Sequence, residues 1–472
     1  MQDAVMERAA SASGFAGALL EALGPELVRF GADVPERNRA DATRLPPGSP
    51  LALVLPRTTA DVATVLRLCH AAHQPIVTQG GMTGLAAGAH PGEGEVALSL
   101  ERLRGVEEVD RAAATLTALA GTPLQEVQAA AEAAGFLCGI DLGARGSCTI
   151  GGNVATNAGG NQVLRYGMAR RNVLGLEVVQ ADGTVLTSLN KMLKNNTGYD
   201  WTQLFIGSEG TLGVVTRVVL GLHPRPAEIA TALVSVPSAA AALEVLSRLQ
   251  RNLAGELITF EAMWREYLDV AVERLGLRAP FAEPPELAIL VELAASREAD
   301  ALPDALDAMV GDKLVVDALV AQSGADRARL WAYRESVYEY KTLMEGSVGF
   351  DISIPRAAIG DAVEDLRRTA AREWPRAIQA VFGHMADSNL HIVVGPLDGG
   401  PGRVGEADRL RVEDAIYGVV RRHAGSVSAE HGIGRLKRAY LSHSRTPPEL
   451  ALMRTMKAAL DPHGILNPGR VL

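Results

Sequence analysis

The most informative stretch of this sequence is Gly146-Ser147-Cys148-Thr149-Ile150-Gly151-Gly152-Asn153-Val154-Ala155-Thr156-Asn157-Ala158-Gly159-Gly160. Its glycines alternate with small hydroxyl and amide side chains, so the backbone can approach a ligand closely and still offer hydrogen bonds to a flat polar ring. Two shorter glycine clusters flank it, QGGMTGL at 79–85 and GSEGTLG at 207–213. Consecutive N–H groups of the first cluster can point into one concavity, which suits a pyrophosphate.

Each glycine cluster alone is equally typical of an ordinary turn. Three of them, each close to a predicted strand, predict a site for a large anionic cofactor instead. The sequence has no GxGxxG after its first strand with an acidic residue further on, and no GxxxxGK[ST]. A Rossmann dinucleotide site and a P-loop therefore do not explain the clusters.

Length and charge narrow the class of protein. The chain has 472 residues, and single domains seldom exceed about 250 to 300 residues. A net charge of −9 argues against a nucleic-acid or anionic-membrane partner. Cys69, Cys138 and Cys148 have no paired spacing, so no disulfide framework or cysteine zinc site is predicted. Without a long apolar run or a signal pattern, we expect a cytoplasmic protein that has no integral membrane span.

The hydrophobic pattern divides the chain. A short amphipathic helix is predicted at Phe15–Leu23, and Thr58 with Asp61 has the spacing of a capping box. Glycine loops stop near Pro226, residues 227–380 repeat strand and helix signals without them, and glycine loops are regained from about Val427. Strands are predicted at 51–56, 75–78, 96–100, 115–120, 173–180 and 213–222. The pattern as a whole is typical of an α+β protein with at least two domains.

The three motifs QGGMTGL, DLGARGSCTIGGNVATNAGG and GSEGTLGVVT, in this order and spacing, resemble the FAD-binding domain of the vanillyl-alcohol-oxidase and p-cresol-methylhydroxylase superfamily. The most similar branch contains D-lactate dehydrogenase, the glycolate oxidase flavin subunit and D-2-hydroxyglutarate dehydrogenase. The resemblance covers about residues 45 to 472. It implies an α+β fold with a two-subdomain FAD-binding domain, an α+β substrate (cap) domain with an antiparallel sheet, and a C-terminal segment that returns to the FAD domain. The expected boundaries are 1–45 for a helical lead-in, 46–225 for the FAD domain, 226–425 for the cap and 426–472 for the C-terminal segment.

The same resemblance implies non-covalent FAD held by the glycine loops, since no histidine is placed for covalent attachment. One departure from the family is Met82, where the family usually has Asn. The expected FAD-binding residues are Gln79, Gly80, Gly81, Thr83, Gly84, Leu85, Gly146, Ser147, Gly151, Gly152, Asn153, Thr156, Asn157, Gly159, Gly160, Glu209, Gly210, Gly213, Val215 and Asn467.

Two histidines flank a predicted hairpin turn in AVFGHMADSNLHIVVG at 380–395. If the hairpin is symmetric about the Asp387–Ser388 bond, His384 and His391 stand directly opposite each other. Their Cβ atoms would then lie about 4.5 to 5.5 Å apart, close enough for both rings to bind one ion. Spacing alone leaves open that they are core histidines with other partners.

Further along, Ser428-Ala429-Glu430-His431-Gly432-Ile433-Gly434 places a Glu and a His side by side. Adjacent side chains point apart on a strand, so both serve one site only from a loop, which Gly432 and Gly434 permit. A buried salt-linked pair is the alternative that the residues leave open.

The resemblance assigns roles to these residues. The family motifs GHxGDGNxH and EHGIG match here, with Ala386 and Ser388 in place of family glycines. In metal-dependent members of the branch the two His and the Glu bind a divalent ion, usually zinc or manganese, and the adjoining His is the base. The expected metal ligands are therefore His384, His391 and Glu430, and the expected catalytic base is His431.

Substrate contacts are implied in the same way. Arg334, in WAYRES at 331–336, matches the family arginine that binds the substrate carboxylate, although a helix-surface arginine would show the same local pattern. Asn389 and His384 are the other expected substrate contacts. Related 2-hydroxyglutarate enzymes commonly carry Lys where this chain has Gly349. This difference favours a substrate with a short or uncharged tail, unless Lys341 supplies the missing cation.

These features predict an FAD- and metal-dependent enzyme that oxidises a D-2-hydroxy acid, of the D-lactate or D-2-hydroxyglutarate type, by hydride transfer to flavin N5. The electrons are expected to pass to an external acceptor such as an electron-transfer flavoprotein, a quinone or a cytochrome, and a homodimer is compatible with the resemblance. One alternative is a non-catalytic flavin-binding subunit of a glycolate-oxidase-like complex. Another is a metal hydrolase whose glycine loops are structural.

Overall fold

The computed structural model describes residues 14–43, 45–253, 257–295, 301–343, 346–397 and 404–472. Contacts divide the chain into two units. The first contains the chain up to Gly160, Gly167–Arg225 and Glu430–Leu472, and the second contains Asn161–Tyr166 and Pro226–Ala429.

Two short segments differ from the expected boundaries. Residues 426–429 lie in the second unit, because Ser426 and Ser353 exchange backbone hydrogen bonds of 2.8 and 3.0 Å. Residues 161–166, inside the expected FAD domain, also belong to the second unit. There Thr259 Oγ1 donates to the Asn161 carbonyl at 3.2 Å.

The first unit is built on two main sheets. Its strands are β1 (Val28–Arg29), β2 (Ala52–Val54), β3 (Ile76–Gln79), β4 (Val96–Ser99), β5 (Val106–Asp110), β6 (Thr115–Leu119), β7 (Phe136–Leu137), β8 (Val173–Val179), β9 (Val185–Ser188), β10 (Val214–Gly221) and β11 (His223–Pro224). Its helices are α1 (14–23), α2 (Thr59–Ala71), α3 (Leu124–Ala133), α4 (Ile150–Ala155), α6 (Ala169–Asn172), α7 (Thr202–Phe205) and α15 (Pro447–Leu460). α5 (Val163–Tyr166) belongs to the second unit.

One sheet has the order β1-β2-β4-β3, and the other has the order β5-β6-β10-β8-β9. In the first sheet β2, β4 and β3 are parallel, whereas the second sheet is antiparallel throughout. The C-terminal tail returns to the first sheet, where Leu466 bridges to Ile76 and the Asn467 N–H donates to the Ile76 carbonyl at 2.8 Å. The first glycine loop therefore begins at the end of β3 and the third ends at the start of β10, and buried apolar side chains fix both strands.

Most local predictions for this unit are confirmed. Each predicted strand overlaps an observed one, and the amphipathic helix is present at 14–23. The capping box is present because the Asp61 N–H donates to Thr58 Oγ1 at 3.1 Å and the Thr58 N–H donates to Asp61 Oδ2 at 2.9 Å. Cys69, Cys138 and Cys148 are buried and unpaired.

The second unit is one antiparallel sheet covered by helices. Its strands are β12 (Glu228–Val236), β13 (Leu257–Trp264), β14 (Leu287–Ala295), β15 (Asp317–Val320), β16 (Val348–Ser353), β17 (Ile378–His384) and β18 (Asn389–Gly395), in the order β15-β12-β14-β13-β17-β18-β16. Besides α5, its helices are α8 (Ala239–Asn252), α9 (Arg265–Asp269), α10 (Ala301–Gly311), α11 (Gly324–Glu335), α12 (Val337–Leu343), α13 (Ile359–Glu373) and α14 (Glu406–Arg422). A π-helical turn at Val270–Arg274 continues α9. This sheet confirms the expected α+β fold with an antiparallel cap.

The predicted histidine hairpin is present, but its register differs from the prediction. His391 pairs directly with Phe382, not with His384. The turn at Met385–Asp387 ends at Ser388, whose φ of 75° lies in the left-handed region, and this moves the centre of the hairpin by one residue. The partner of His391 thus changes by two residues, from His384 to Phe382. Because side chains alternate between the two faces of a sheet, a shift of two residues leaves each side chain on the same face. The His384 and His391 rings therefore still face the same side, with centroids 5.4 Å apart.

Among the described residues, no helix combines the length and the apolar character that crossing a membrane requires.

Candidate active site

The first glycine loop presents its backbone to solvent or a ligand. Within the described chain, the N–H groups of residues 81–85 donate no hydrogen bond. The loop packs against the second glycine segment so closely that no side chain fits between them. A Cβ on Gly81 would lie 2.0 Å from the Ser147 carbonyl oxygen, and a Cβ on Gly80 would lie 2.6 Å from Thr149 Oγ1. Consecutive N–H groups without protein acceptors fit the oxygens of a diphosphate.

Met82 takes a left-handed conformation in this loop, with φ 56°. Asn adopts that region far more readily than an unbranched apolar residue does. The departure from the family at this position therefore costs backbone strain.

The second glycine segment contains both exposed and packed residues. α4 begins after Thr149, whose Oγ1 accepts from the Gly152 N–H at 3.4 Å. A Cβ on Gly151 would lie 2.5 Å from Ala120 Cβ, so this glycine is needed where α4 packs on β6. The Asn153 side chain is buried, and its Nδ2 has no hydrogen-bond partner among the described residues. An unpaired buried amide is the kind of group that a bound cofactor satisfies.

Several other residues expected to bind FAD have structural partners. Gln79 Nε2 donates to the carbonyls of Asn38 and Ala89 at 2.9 and 3.2 Å, and Asn157 Oδ1 accepts from the Arg170 N–H at 2.9 Å. Four more of the expected residues have structural roles. Thr156 Oγ1 donates to the Gly152 carbonyl, and Val215 is buried in β10. A Cβ on Gly210 would meet Asn467, and one on Gly213 would meet Phe205. Their contact with FAD stays a prediction.

Glu209 fastens the EHGIG loop. Its two carboxylate oxygens accept from the N–H groups of Ile433 and Gly434 at 2.7 and 2.8 Å. Its carbonyl accepts from Asn467 Nδ2 at 2.7 Å, and Asn467 Oδ1 accepts from the Thr78 N–H at 2.9 Å. Burial raises the pKa of Glu209, although the two N–H donors oppose this shift. The structure therefore gives Glu209 and Asn467 a role in holding the loops of this unit together.

The long glycine segment and the EHGIG loop meet at their ends. The Gly160 N–H donates to Glu430 Oε1 at 2.7 Å. Gly160 has φ 99°, and a Cβ there would lie 1.8 Å from the Asp141 carbonyl oxygen. Glu430 and the half-buried His431 are thus held in the first unit next to the segment expected to bind the flavin.

In the second unit, a buried carboxylate links two of the predicted site residues. His384 Nδ1 lies 2.5 Å from Glu261 Oε1, and Arg334 Nε donates to Glu261 Oε2 at 2.7 Å. Burial alone would raise the pKa of Glu261, but the charge of Arg334 and the hydrogen bonds from His384 and Arg334 lower it below its ordinary value. Glu261 is therefore an ionised group at the centre of a sheet.

Arg334 is buried and held from several sides, so the surface alternative is wrong. It is 7% exposed, and its guanidinium carbon lies 4.9 Å from the centroid of the Phe382 ring. Tyr267 Oη donates to the Arg334 carbonyl at 2.7 Å. The Nε atom is used by Glu261, which leaves the terminal N–H groups as the donors for a ligand.

A second buried carboxylate, that of Asp351, lies near His391 and accepts a hydrogen bond from Ala429, the residue before Glu430. Asp351 is fully buried, and its Oδ1 lies 3.9 Å from His391 Nδ1. Its Oδ2 accepts from the Ala429 N–H at 3.1 Å. Because Glu430 follows Ala429 directly in the chain, Asp351 fixes the point from which the EHGIG loop starts.

Asn389 carries an unsatisfied amide. The residue is 3% exposed, and neither its Oδ1 nor its Nδ2 has a hydrogen-bond partner among the described residues. It lies two residues from His391 on β18, so both side chains face the same side of the sheet. A buried amide without partners is costly unless a ligand satisfies it.

The sequence analysis did not identify Glu261, Tyr267 or Phe382. A signal for Glu261 was present, because it is the one charged residue in the apolar strand Leu257–Trp264. Its partners are 73 and 123 residues away, and local patterns do not reveal such partners.

Two family models match the chain. The model "FAD binding domain" matches residues 50–188, and the model "FAD linked oxidases, C-terminal domain" matches residues 225–471. The chain belongs to the FAD-linked oxidases. It is therefore an FAD-linked oxidoreductase, and FAD is its cofactor.

Relatives and solved structures agree with this family. The mitochondrial D-2-hydroxyglutarate dehydrogenase of Bos taurus is 40% identical over 460 residues, which cover 96% of this chain and 83% of that protein. D-2-hydroxyglutarate dehydrogenase of Xanthomonas citri pv. viticola is 37% identical over 452 residues, with 92% of each chain covered.

Among solved structures, p-cresol methylhydroxylase with substrate bound has a TM-score of 0.73 and 15% identity, and covers 98% of this FAD-linked oxidase and 97% of its own chain. The 4-ethylphenol oxidase from Gulosibacter chungangensis has a TM-score of 0.72 and 18% identity, with the same coverage. At these identities the likeness shows the fold alone, and it confirms the fold expected from the glycine motifs.

The close approach of the two glycine loops can be tested in this FAD-linked oxidase. We expect Gly81→Ala to lower the FAD content of the purified protein strongly, because the new Cβ would meet the Ser147 carbonyl oxygen. Gly17→Ala is the control, since a Cβ there has no heavy atom within 4 Å and the residue lies in α1, outside the glycine loops. FAD is measured by absorbance after denaturation. Equal FAD content in both variants would contradict the role given to this contact.

Proposed function

We propose that this FAD-linked oxidase oxidises a D-2-hydroxy acid to the corresponding 2-oxo acid, and that His384, His391 and Glu430 hold a divalent cation that the reaction requires. The observation that carries the proposal is the buried Arg334, whose Nε is fixed by Glu261 while its terminal N–H groups remain as donors. A fixed guanidinium is suited to bidentate binding of a substrate carboxylate. The relatives named as D-2-hydroxyglutarate dehydrogenases support the reaction class.

Each of the chain's own residues has a distinct task in this proposal. Arg334 binds the C1 carboxylate, and the buried amide of Asn389 donates to or accepts from the substrate's polar groups. His431 accepts the proton of the C2 hydroxyl group, because imidazole is the side chain most often used as a general base. When bound, FAD supplies the hydride acceptor at N5 and the divalent cation supplies Lewis acidity.

The donor set suits a catalytic metal site. Two imidazoles and one carboxylate leave open positions for a substrate, as in catalytic zinc sites. The short contact with Glu261 fixes the proton of His384 on Nδ1, so Nε2 is the nitrogen with the lone pair. Zinc and manganese are the ions we expect, since imidazole favours zinc and carboxylate also suits manganese.

The partners of this enzyme are also proposals. Electrons pass from the reduced flavin to an external acceptor, for which an electron-transfer flavoprotein, a quinone or a cytochrome is expected. A homodimer and a cytoplasmic location are kept as predictions. A non-catalytic flavin-binding subunit is the alternative, and its flavin would not be reduced by any substrate acid.

Gly349 bears on the tail of the substrate. It lies in β16 two residues before Asp351, the direct partner of His391, so position 349 is on the same face of the sheet as His391. A Cβ there would have no heavy atom within 4 Å. Without a cation at this position we propose a substrate whose tail lacks a second carboxylate, such as D-lactate. D-2-hydroxyglutarate, named in the relatives, is the second candidate. The Lys341 side chain lies outside the described residues.

The reaction class is tested by anaerobic reduction of the bound FAD. We expect D-lactate or D-2-hydroxyglutarate to bleach the flavin absorbance in a stopped-flow experiment, because one face of C2 is presented to N5. The L enantiomers should leave the absorbance unchanged. Equal rates with both enantiomers would contradict the assignment, and no reduction by either acid would favour the non-catalytic alternative.

The substrate tail is tested with Gly349→Lys. A lysine at this open position adds a cation to the face that carries His391, so kcat/KM for D-2-hydroxyglutarate should rise by about tenfold or more relative to that for D-lactate. Gly349→Met is the control, since its side chain has a similar length without the charge. An unchanged ratio, or an equal change in the two variants, would argue against this role for position 349.

Metal binding and proton transfer are separated by two variants. His391→Ala should lose the bound zinc or manganese together with turnover, because one ligand is removed. His431→Ala should keep the metal and FAD and lower kcat by about 10² to 10⁴-fold, the usual contribution of a general base. Metal content is measured by elemental analysis. Full metal content in the first variant, or full turnover in the second, would show that the role is misassigned.

A further inference from the structure

Glu261 lies at the centre of the second unit, on β13, with 1% of its surface exposed. Its direct neighbour across the sheet is His384, and Arg334 reaches it from the end of α11. We propose that Glu261 is a positioning residue whose two carboxylate oxygens set, at the same time, the metal-binding nitrogen of His384 and the orientation of the Arg334 guanidinium. The inference rests on the proposed function of His384 and Arg334.

On the His384 side, Glu261 decides which ring nitrogen binds the cation. The contact of 2.5 Å joins Nδ1 to Oε1, and an ionised carboxylate is an acceptor only. Nδ1 therefore carries the proton, and the lone pair lies on Nε2. Carboxylate partners of this kind also fix the plane of a ligand imidazole and raise its basicity.

On the Arg334 side, Glu261 accepts from Nε at 2.7 Å. The side chains of this pair are 9% and 2% exposed, and the guanidinium carbon lies 4.9 Å from the Phe382 ring centroid. One hydrogen bond in the plane and one aromatic ring beside it leave the guanidinium little rotational freedom. Its terminal N–H groups are held in advance in the geometry that a carboxylate needs.

A carboxylate is required because both partners are donors. A glutamine at this position offers one acceptor and one donor, so its amide would meet the N–H of either His384 or Arg334 with its own NH₂ group. The chain contains a matched pair for comparison. Glu292 on the neighbouring strand β14 is also buried, and it accepts from Arg327 Nε and Trp331 Nε1 at 2.6 and 2.7 Å.

The comparison between the two glutamates is close. Glu292 faces Thr259, which lies two residues from Glu261 on β13, so both carboxylates lie on one face of the sheet. Arg327 and Arg334 both belong to α11. Each pair joins this helix to the sheet, but the partners of Glu292 are not among the residues proposed to bind metal or substrate. Glu292→Gln therefore reports the purely structural cost of neutralising such a pair.

The test uses the full-length flavoprotein after metal depletion. Mn²⁺ is titrated into the wild type, Glu261→Gln and Glu292→Gln, and free Mn²⁺ is measured by its electron paramagnetic resonance signal. Glu261→Gln should raise the Kd for Mn²⁺ by about 10 to 100-fold, the usual effect of removing the partner of a ligand histidine. It should also raise KM for the D-2-hydroxy acid severalfold. Glu292→Gln should leave Kd and KM at wild-type values even if both variants lower Tm.

Glu261→Asp provides a second variant if Glu261→Gln fails to fold. It keeps the charge, but its carboxylate is withdrawn by about 1.5 Å, one C–C bond, and cannot reach both partners. It should therefore raise Kd and KM less than the glutamine variant does. Wild-type Kd and KM in Glu261→Asp or Glu261→Gln, or equal increases in Glu292→Gln, would overturn the inference. If the wild type itself binds no Mn²⁺ or Zn²⁺, the proposed metal site fails instead, and the two failures are thereby distinguished.

Discussion

A carboxylate buried in the middle of a β-sheet is stable only when charged or polar donors satisfy both of its oxygens, and this constraint shapes the second unit. The cost of an isolated buried charge is large, and removing one partner of a buried pair leaves the other uncompensated. Glu261 meets the condition with His384 and Arg334. The helix α11 must therefore end where Arg334 can reach β13, and β17 must be paired so that His384 is the direct neighbour of Glu261.

The same physical rule operates in the first unit, with backbone donors in place of side chains. Glu209 accepts from two consecutive residues of the EHGIG loop, through the N–H groups of Ile433 and Gly434. The glycine at 434 is required there, because it has φ 50° and a Cβ would lie 1.9 Å from the Ala86 carbonyl oxygen. Gly434 allows the loop to pass close to the Ala86 carbonyl, and the Glu209 carboxylate holds the loop in that position.

Local patterns in the sequence predicted the elements and the faces of this protein well. Alternation with period two placed His384 and His391 on one face, and the capping residues Thr58 and Asp61 placed the start of α2. Register was predicted less well, because it depends on the turn at Met385–Asp387 and the left-handed Ser388. Backbone torsions of this kind are decided by the whole hairpin and not by the residue type alone.

Long-range pairing was the part that the sequence did not reveal. Three glutamates interrupt apolar strands, namely Glu177 in β8, Glu261 in β13 and Glu292 in β14. All three are buried and paired with an arginine. Nothing in their own strands distinguishes them, and only the identity of their partners separates a structural pair from one that contacts the site.

Hydrogen bonds hold the chain on each side of two points where it passes from one unit to the other. The chain leaves the first unit after Gly160, returns at Gly167, leaves again after Arg225 and returns at Glu430. Gly160 and Glu430, which stand at the first and the last of these junctions, are joined by a hydrogen bond of 2.7 Å. On the other side of these two junctions, Asn161 is bonded to Thr259 and Ala429 to Asp351. Each of the two junctions is thus fixed within one residue on either side.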